Sequence, residues 1–249
     1  MIEFNLLELA PAQLMACFAL FVWSGFVRAG LGFGGAVLTL PLLFLIDDRP
    51  LFWLPILALH LLIFSAITLR SRLGNVDWRV LRKTLPYILP AKLIGVFGLV
   101  SLPAQWMVII IYGITSFYAL LWIAGTRIQS NKPWLDKLML VGGGYFSGTS
   151  LSGAPLIAAV YLREIVRGSL RDTLFVLWFL LVSIKLATLA WFGIDLQAGS
   201  MLLLVPATAA GHIVGMKIHD RLLDNDRLFK RVLGIGMISI SALGIARVW

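Results

Sequence analysis

Lys92 stands near the centre of the apolar run TLPYILPAKLIGVFGLVSL, and Lys185, His212, His60 and Arg28 lie in similarly apolar surroundings. A charge at the middle of a membrane helix costs on the order of 3 kcal/mol on insertion scales, so such a side chain marks a ligand or ion path by default. Lys92 is the strongest candidate for ligand contact. His212 could bind the same ligand, and it is the one well-placed group that titrates near neutral pH. Lys185 lies off-centre in FLLVSIKLATLAWFG, where its long stem could instead carry the ammonium to an interface. His60, in PILALHLLIFSAI, reads as a packed neutral histidine. Arg28 either neutralises a substrate charge or holds loop carbonyls. The central parts of the apolar segments carry no Asp or Glu. Proton and sodium paths commonly use carboxylates, so a cationic substrate loses ground and an anionic one gains it.

Two further stretches could supply neutral donors. RAGLGFGGAVLTLP (28–41) places Gly30, Gly32, Gly34 and Gly35 within six residues, and SGTSLSGAP (147–155) combines Gly148, Gly153 and Pro155 with four hydroxyls. Each glycine costs a helix interior about 1 kcal/mol, so this density breaks the helix. In hydrocarbon a break survives only where protein or a polar cavity satisfies the freed backbone. A helix that resumes after the break aims its unpaired N–H groups and positive dipole end back at it, which suits an anion. Gly32, Gly34, Gly35, Ser150, Ser152 and Gly153 are therefore the expected backbone and hydroxyl donors. The competing use of the glycines is close helix packing.

The elements that position these residues are membrane helices. Of the 249 residues, 60% are hydrophobic and 13% charged, and the mean hydropathy is +0.94; soluble domains carry about twice that share of charge. Apolar segments run over 12–46, 50–69, 84–103, 106–125, 137–162, 170–192, 199–218 and 229–248. The N-terminal stretch MIEFNLLELAPAQLM lacks a basic region and cleavage site, so the first segment is expected to remain in the mature chain. The single Cys17 excludes an intrachain disulfide and a cysteine-cluster metal site. The net charge of +9 reflects basic loops on one membrane face rather than nucleic-acid binding.

An internal duplication organises these segments. GFVRAGLGFGGAV (25–37) aligns without a gap on GYFSGTSLSGAPL (144–156), and LPYILPAKLIGVFG (85–98) aligns on VPATAAGHIVGMKI (205–218), pairing Gly95 with Gly215 and Lys92 with His212. The loop at 70–83 is rich in Arg and Lys, whereas its counterpart at 192–199 holds Asp195 and no positive charge; the next pair of loops reverses the bias. Equivalent loops that prefer opposite sides indicate inverted-topology repeats. The expected fold is all-α and integral to the membrane. Its two halves, 1–130 and 131–249, each hold one glycine-broken segment and three transmembrane helices. Each broken segment is either a re-entrant hairpin or a kinked spanning helix. As a hairpin, the second would have arms of about ten residues, 138–147 and 154–162, each roughly half the hydrocarbon thickness.

The segment GLGFGGAVLTLPLL and its echo SGTSLSGAPLIAAVYL resemble the sulfite exporter TauE/SafE family of membrane permeases, over nearly the whole chain. The resemblance implies a secondary transporter of the bacterial inner membrane for sulfite, thiosulfate, sulfoacetate or a related sulfonate. The second motif departs from a plain glycine pattern at Thr149, Ser150 and Ser152, which suits a ligand with more oxygens. No cofactor is expected. The expected partners are a small anionic substrate, membrane lipid, a coupling ion (proton or sodium) and further copies of the chain. Other readings are a carrier of a different small anion or a metal ion, and an intramembrane enzyme or complex subunit. The enzyme reading lacks a visible Ser/His/Asp or paired-carboxylate constellation.

Overall fold

A computed structural model describes residues 6–31, 35–70, 72–126, 128, 132–224 and 226–248. Its α-helices are α1 (Pro11–Leu31), α2 (Gly35–Leu43), α3 (Pro50–Leu69), α4 (Trp78–Ser101), α5 (Ala104–Ile123), α6 (Pro133–Ser150), α7 (Ala154–Glu164), α8 (Arg167–Trp191), α9 (Ala198–Asp224) and α10 (Asp226–Val248). Among the described residues there are no strands. Among the described residues, six helices are long and apolar enough to cross a membrane, within α1, α3, α4, α5, α8 and α9. The chain is a multi-pass, all-α membrane protein.

The order long helix, short helix, three long helices occurs twice along the chain. α1 packs along α9 and α4 along α6, while α3 lies against α8 and α5 against α10. Glycines set the first two contacts. A Cβ on Gly25 would run into Thr208 O and His212 N, and one on Gly144 into Ile88 O. A Cβ on Gly215 would meet Phe26 O at 2.5 Å, and one on Gly95 would meet Tyr145 O at 2.5 Å. Without lipid-excluding force between helices, such backbone-to-backbone approach supplies the dispersion contact that holds them. These positions are the ones paired by the sequence alignment.

The broken segments are more lopsided than the sequence suggested. α6 has 18 residues and α7 has 11, while α1 has 21 and α2 has 9. At 1.5 Å per residue the first arms reach about 27–31 Å and the second about 14–16 Å. The ten-residue estimate for the arm 138–147 therefore falls short. Gly25, Gly144 and Gly148 remain helical because they face backbone of a neighbouring helix; they serve packing, and the chain breaks only beyond them.

At α6 the break has a local cause. Leu151 adopts the left-handed conformation, φ 58°, and ends the helix. Its N–H donates to Phe146 O, and the hydroxyls of Thr149 and Ser150 also donate to carbonyls of the last turn. Pro155 then opens α7, where its missing N–H costs nothing.

Candidate functional site

The two breaks meet at a cavity. α1 contributes Ser24 and Arg28, one helical turn apart on the same face; α2 begins there with Gly35 and Ala36; the second half adds Ser147 and Leu151 from the end of α6 and Ala154 from the start of α7. Trp178 and Phe175 of α8 and Leu57 and Leu61 of α3 form apolar walls. The space for centres of water molecules is about 50 Å³, against about 10–15 Å³ for one water, so the cavity suits a ligand of few heavy atoms. Gly35 permits the closure. A Cβ there would stand 3.3 Å from both Arg28 Cβ and Ser24 O.

Arg28 is the charged residue in this lining. It is 8% exposed, its guanidinium carbon lies 4.6 Å from the centre of the Phe64 ring, and its Nε and one terminal nitrogen have no hydrogen-bond partner. The ring of His212 also lies against Phe64, tilted by 39° with the centroids 5.0 Å apart. A buried guanidinium with unmet donors is costly unless an anion completes it. The ion pairs described in this structure lie at element ends, away from the cavity: Asp47 with Arg49, Asp172 with Arg72, Glu164 with Lys83, and Arg163 with Asp136 and Glu164.

The remaining candidates are placed differently. Lys92 and Lys185 are fully buried and both reach the carbonyl end of α6. Lys92 Nζ donates to Ser147 Oγ at 3.0 Å and Ser147 O at 3.3 Å, and Lys185 Nζ donates to Gly148 O at 2.6 Å and Thr149 O at 3.1 Å. The Ser150 and Ser152 hydroxyls bond each other. Gly153 is the residue preceding α7, packed on Gly143 O and Ser147 N. His212 is half-buried, with Nδ1 unpartnered. His60 is packed as read from the sequence, its Nε2 3.0 Å from Met201 O. Gly32 and Gly34 lie outside the described residues.

Ser24, Ser147 and Trp178 line the cavity without having been singled out as ligands in the sequence. For Ser24 a signal existed, its spacing of four from Arg28 in WSGFVR. Trp178 offered none, since one aromatic in an apolar run looks like any other. Among the described residues, no group of three or more His, Cys, Asp or Glu side chains could hold a metal ion.

Comparison with known proteins adds one finding. A family model described as "Sulfite exporter TauE/SafE" matches residues 17–244. No curated protein and no solved structure matches the chain.

Proposed function

The chain belongs to the sulfite exporter TauE/SafE family, and from that premise we propose that it carries a small sulfur oxyanion or sulfonate through the cavity between the two helix breaks by alternating access. Membership makes it a membrane transporter of the sulfite and anion class. One observation carries the finer reading: a buried Arg28 with unpartnered guanidinium nitrogens lines a small cavity where both breaks converge. Sulfite and sulfonates present three oxygens, which suits a guanidinium, the Ser24 and Ser147 hydroxyls, and the N–H groups that open α2 and α7. Apolar walls keep water away and strengthen each such bond. We assign substrate contact to Arg28, Ser24, Gly35, Ser147 and Ala154. Gly153 shapes the second break, and Ser150 and Ser152 stabilise it.

The halves 1–130 and 131–249 are read as inverted repeats of one membrane domain. The equivalent glycine contacts of α1 with α9 and of α6 with α4 support the duplication, and the alternating loop charge supports the inversion. In this reading the protein resides in a bacterial inner membrane.

The test is counterflow of labelled sulfite in proteoliposomes holding the purified chain, competed by thiosulfate, sulfoacetate, acetate and divalent metal. Saturable sulfite exchange, blocked by a sulfur anion, is expected. Exchange driven by the metal alone, or by acetate as readily as by sulfite, overturns the substrate class.

A further inference from the structure

Lys92 and Lys185 bring two amines into the protein interior without a carboxylate. They come from α4 and α8, expose no surface, and hold three successive carbonyl positions, Ser147, Gly148 and Thr149, at the end of α6. In ion-coupled transporters the carbonyls of an interrupted helix are where sodium is coordinated. Here tethered amines occupy them. The deeper titratable groups on the elements packed around the pair are Tyr87 of α4, Tyr145 of α6, Tyr161 of α7 and His60 of α3, with Arg28 of α1 across the cavity. The carboxylates of these elements stand at their ends, Asp136 and Glu164 bonded to Arg163 and Asp172 to Asn75. Two neighbouring ammonium groups in this setting repel each other and lack a counter-charge.

We propose that Lys92 and Lys185 form a proton-carrying site coupled to the anion. With the cavity empty, the pair holds one ammonium and one amine. An anion that arrives beside Arg28 and Ser147 supplies the missing negative charge, and the amine takes a proton from water to become a second ammonium. Ser147 links the two events, since it lines the cavity and accepts from Lys92. On release the N–H bond breaks, the proton returns to water on the far side, and no electron changes hands. Anion and proton thus move together. This inference rests on the anion-transport reading, and the test separates the two.

Proteoliposomes with the membrane potential clamped at zero are given a pH gradient and labelled sulfite. Wild-type protein is expected to accumulate sulfite on the alkaline side, about tenfold per pH unit for one proton carried. The double variant Lys92→Arg/Lys185→Arg keeps two cations that cannot release a proton and is expected to bring the accumulation ratio down to parity, whereas each single variant leaves one lysine to take and release the proton and is expected to keep it. Sulfite counterflow in each variant confirms that it is folded; its rate is free to change, and the ratio is the readout. Counterflow by wild type without pH-driven accumulation overturns the proton site and leaves the anion reading intact. Accumulation that persists in the double arginine variant places the proton on the sulfite itself and also overturns it. So does accumulation that follows a sodium gradient at equal pH. Absence of wild-type counterflow removes the anion reading and this proposal together.

Discussion

Arg28 and Lys92 are both buried cations in apolar segments, and their partners divide their roles. The guanidinium of Arg28 keeps donors free beside a cavity, whereas the ammonium of Lys92 is spent on α6. A hydrogen bond to a charged group contributes about 1.5–3 kcal/mol, so Arg28→Ala should weaken sulfite binding by about 10–150-fold, and Arg28→Lys should restore only part of it because the fork is lost. Competition binding in detergent measures this; wild-type affinity in Arg28→Ala would remove Arg28 from the site. Where the first turns of α4 meet the end of α7, Lys83 and then Arg163 hold the Glu164 carboxyl below its usual range. A depressed carboxylate contributes stability above its unfolded pKa of about 4.3 and loses it as pH falls through the lower folded value. The pair is largely solvated, so its worth is at most about 1 kcal/mol. Glu164→Gln should therefore melt slightly below wild type at pH 7, with the two curves merging under strongly acidic conditions. A gap that stays constant to low pH would disprove the assignment.

At the level of helices, glycine has two separate uses that composition alone does not distinguish. Gly25, Gly95, Gly144 and Gly215 bring backbones together, and Gly35 lets a resumed helix start against Arg28. Overpacking a tight contact costs typically about 1–3 kcal/mol. Gly95→Val is expected to lower thermal stability by that order, since its Cβ would meet Tyr145 O and the Gly148 Cα. Gly113→Ala, with nothing within 4 Å of the added carbon, should be neutral or mildly stabilising through helix propensity. Equal losses in the two variants would count against backbone contact as the reason for Gly95. The same asymmetry of use explains why the first arms are long: a glycine facing another helix does not end its own.

For the whole molecule, inverted repeats make a prediction about sides of the membrane. Asp48 and Val166 are exposed residues just after the two broken segments. With Cys17 replaced by Ala, Asp48→Cys and Val166→Cys should be modified by an impermeant thiol reagent from opposite faces; modification of both from one face would reject the inversion. The multi-pass, all-helical class and the family resemblance were legible from sequence because hydropathy, glycine density and loop charge are properties of contiguous stretches. The alignment of Gly25 with Gly144 and of Gly95 with Gly215 was legible too, since close helix approach leaves small residues at fixed spacing. What only the tertiary structure decided is which donors remain free. That depends on helix ends from distant parts of the chain: α6 stops at Ser150 beneath Lys92 and Lys185, and its carbonyls take both amines. Arg28 reaches the cavity with two of its nitrogens unmet. The sequence alone determined that buried cations must find partners; folding determined that two of them find a helix end and one is left facing the cavity, because hydrogen-bond satisfaction is settled between elements and not along them.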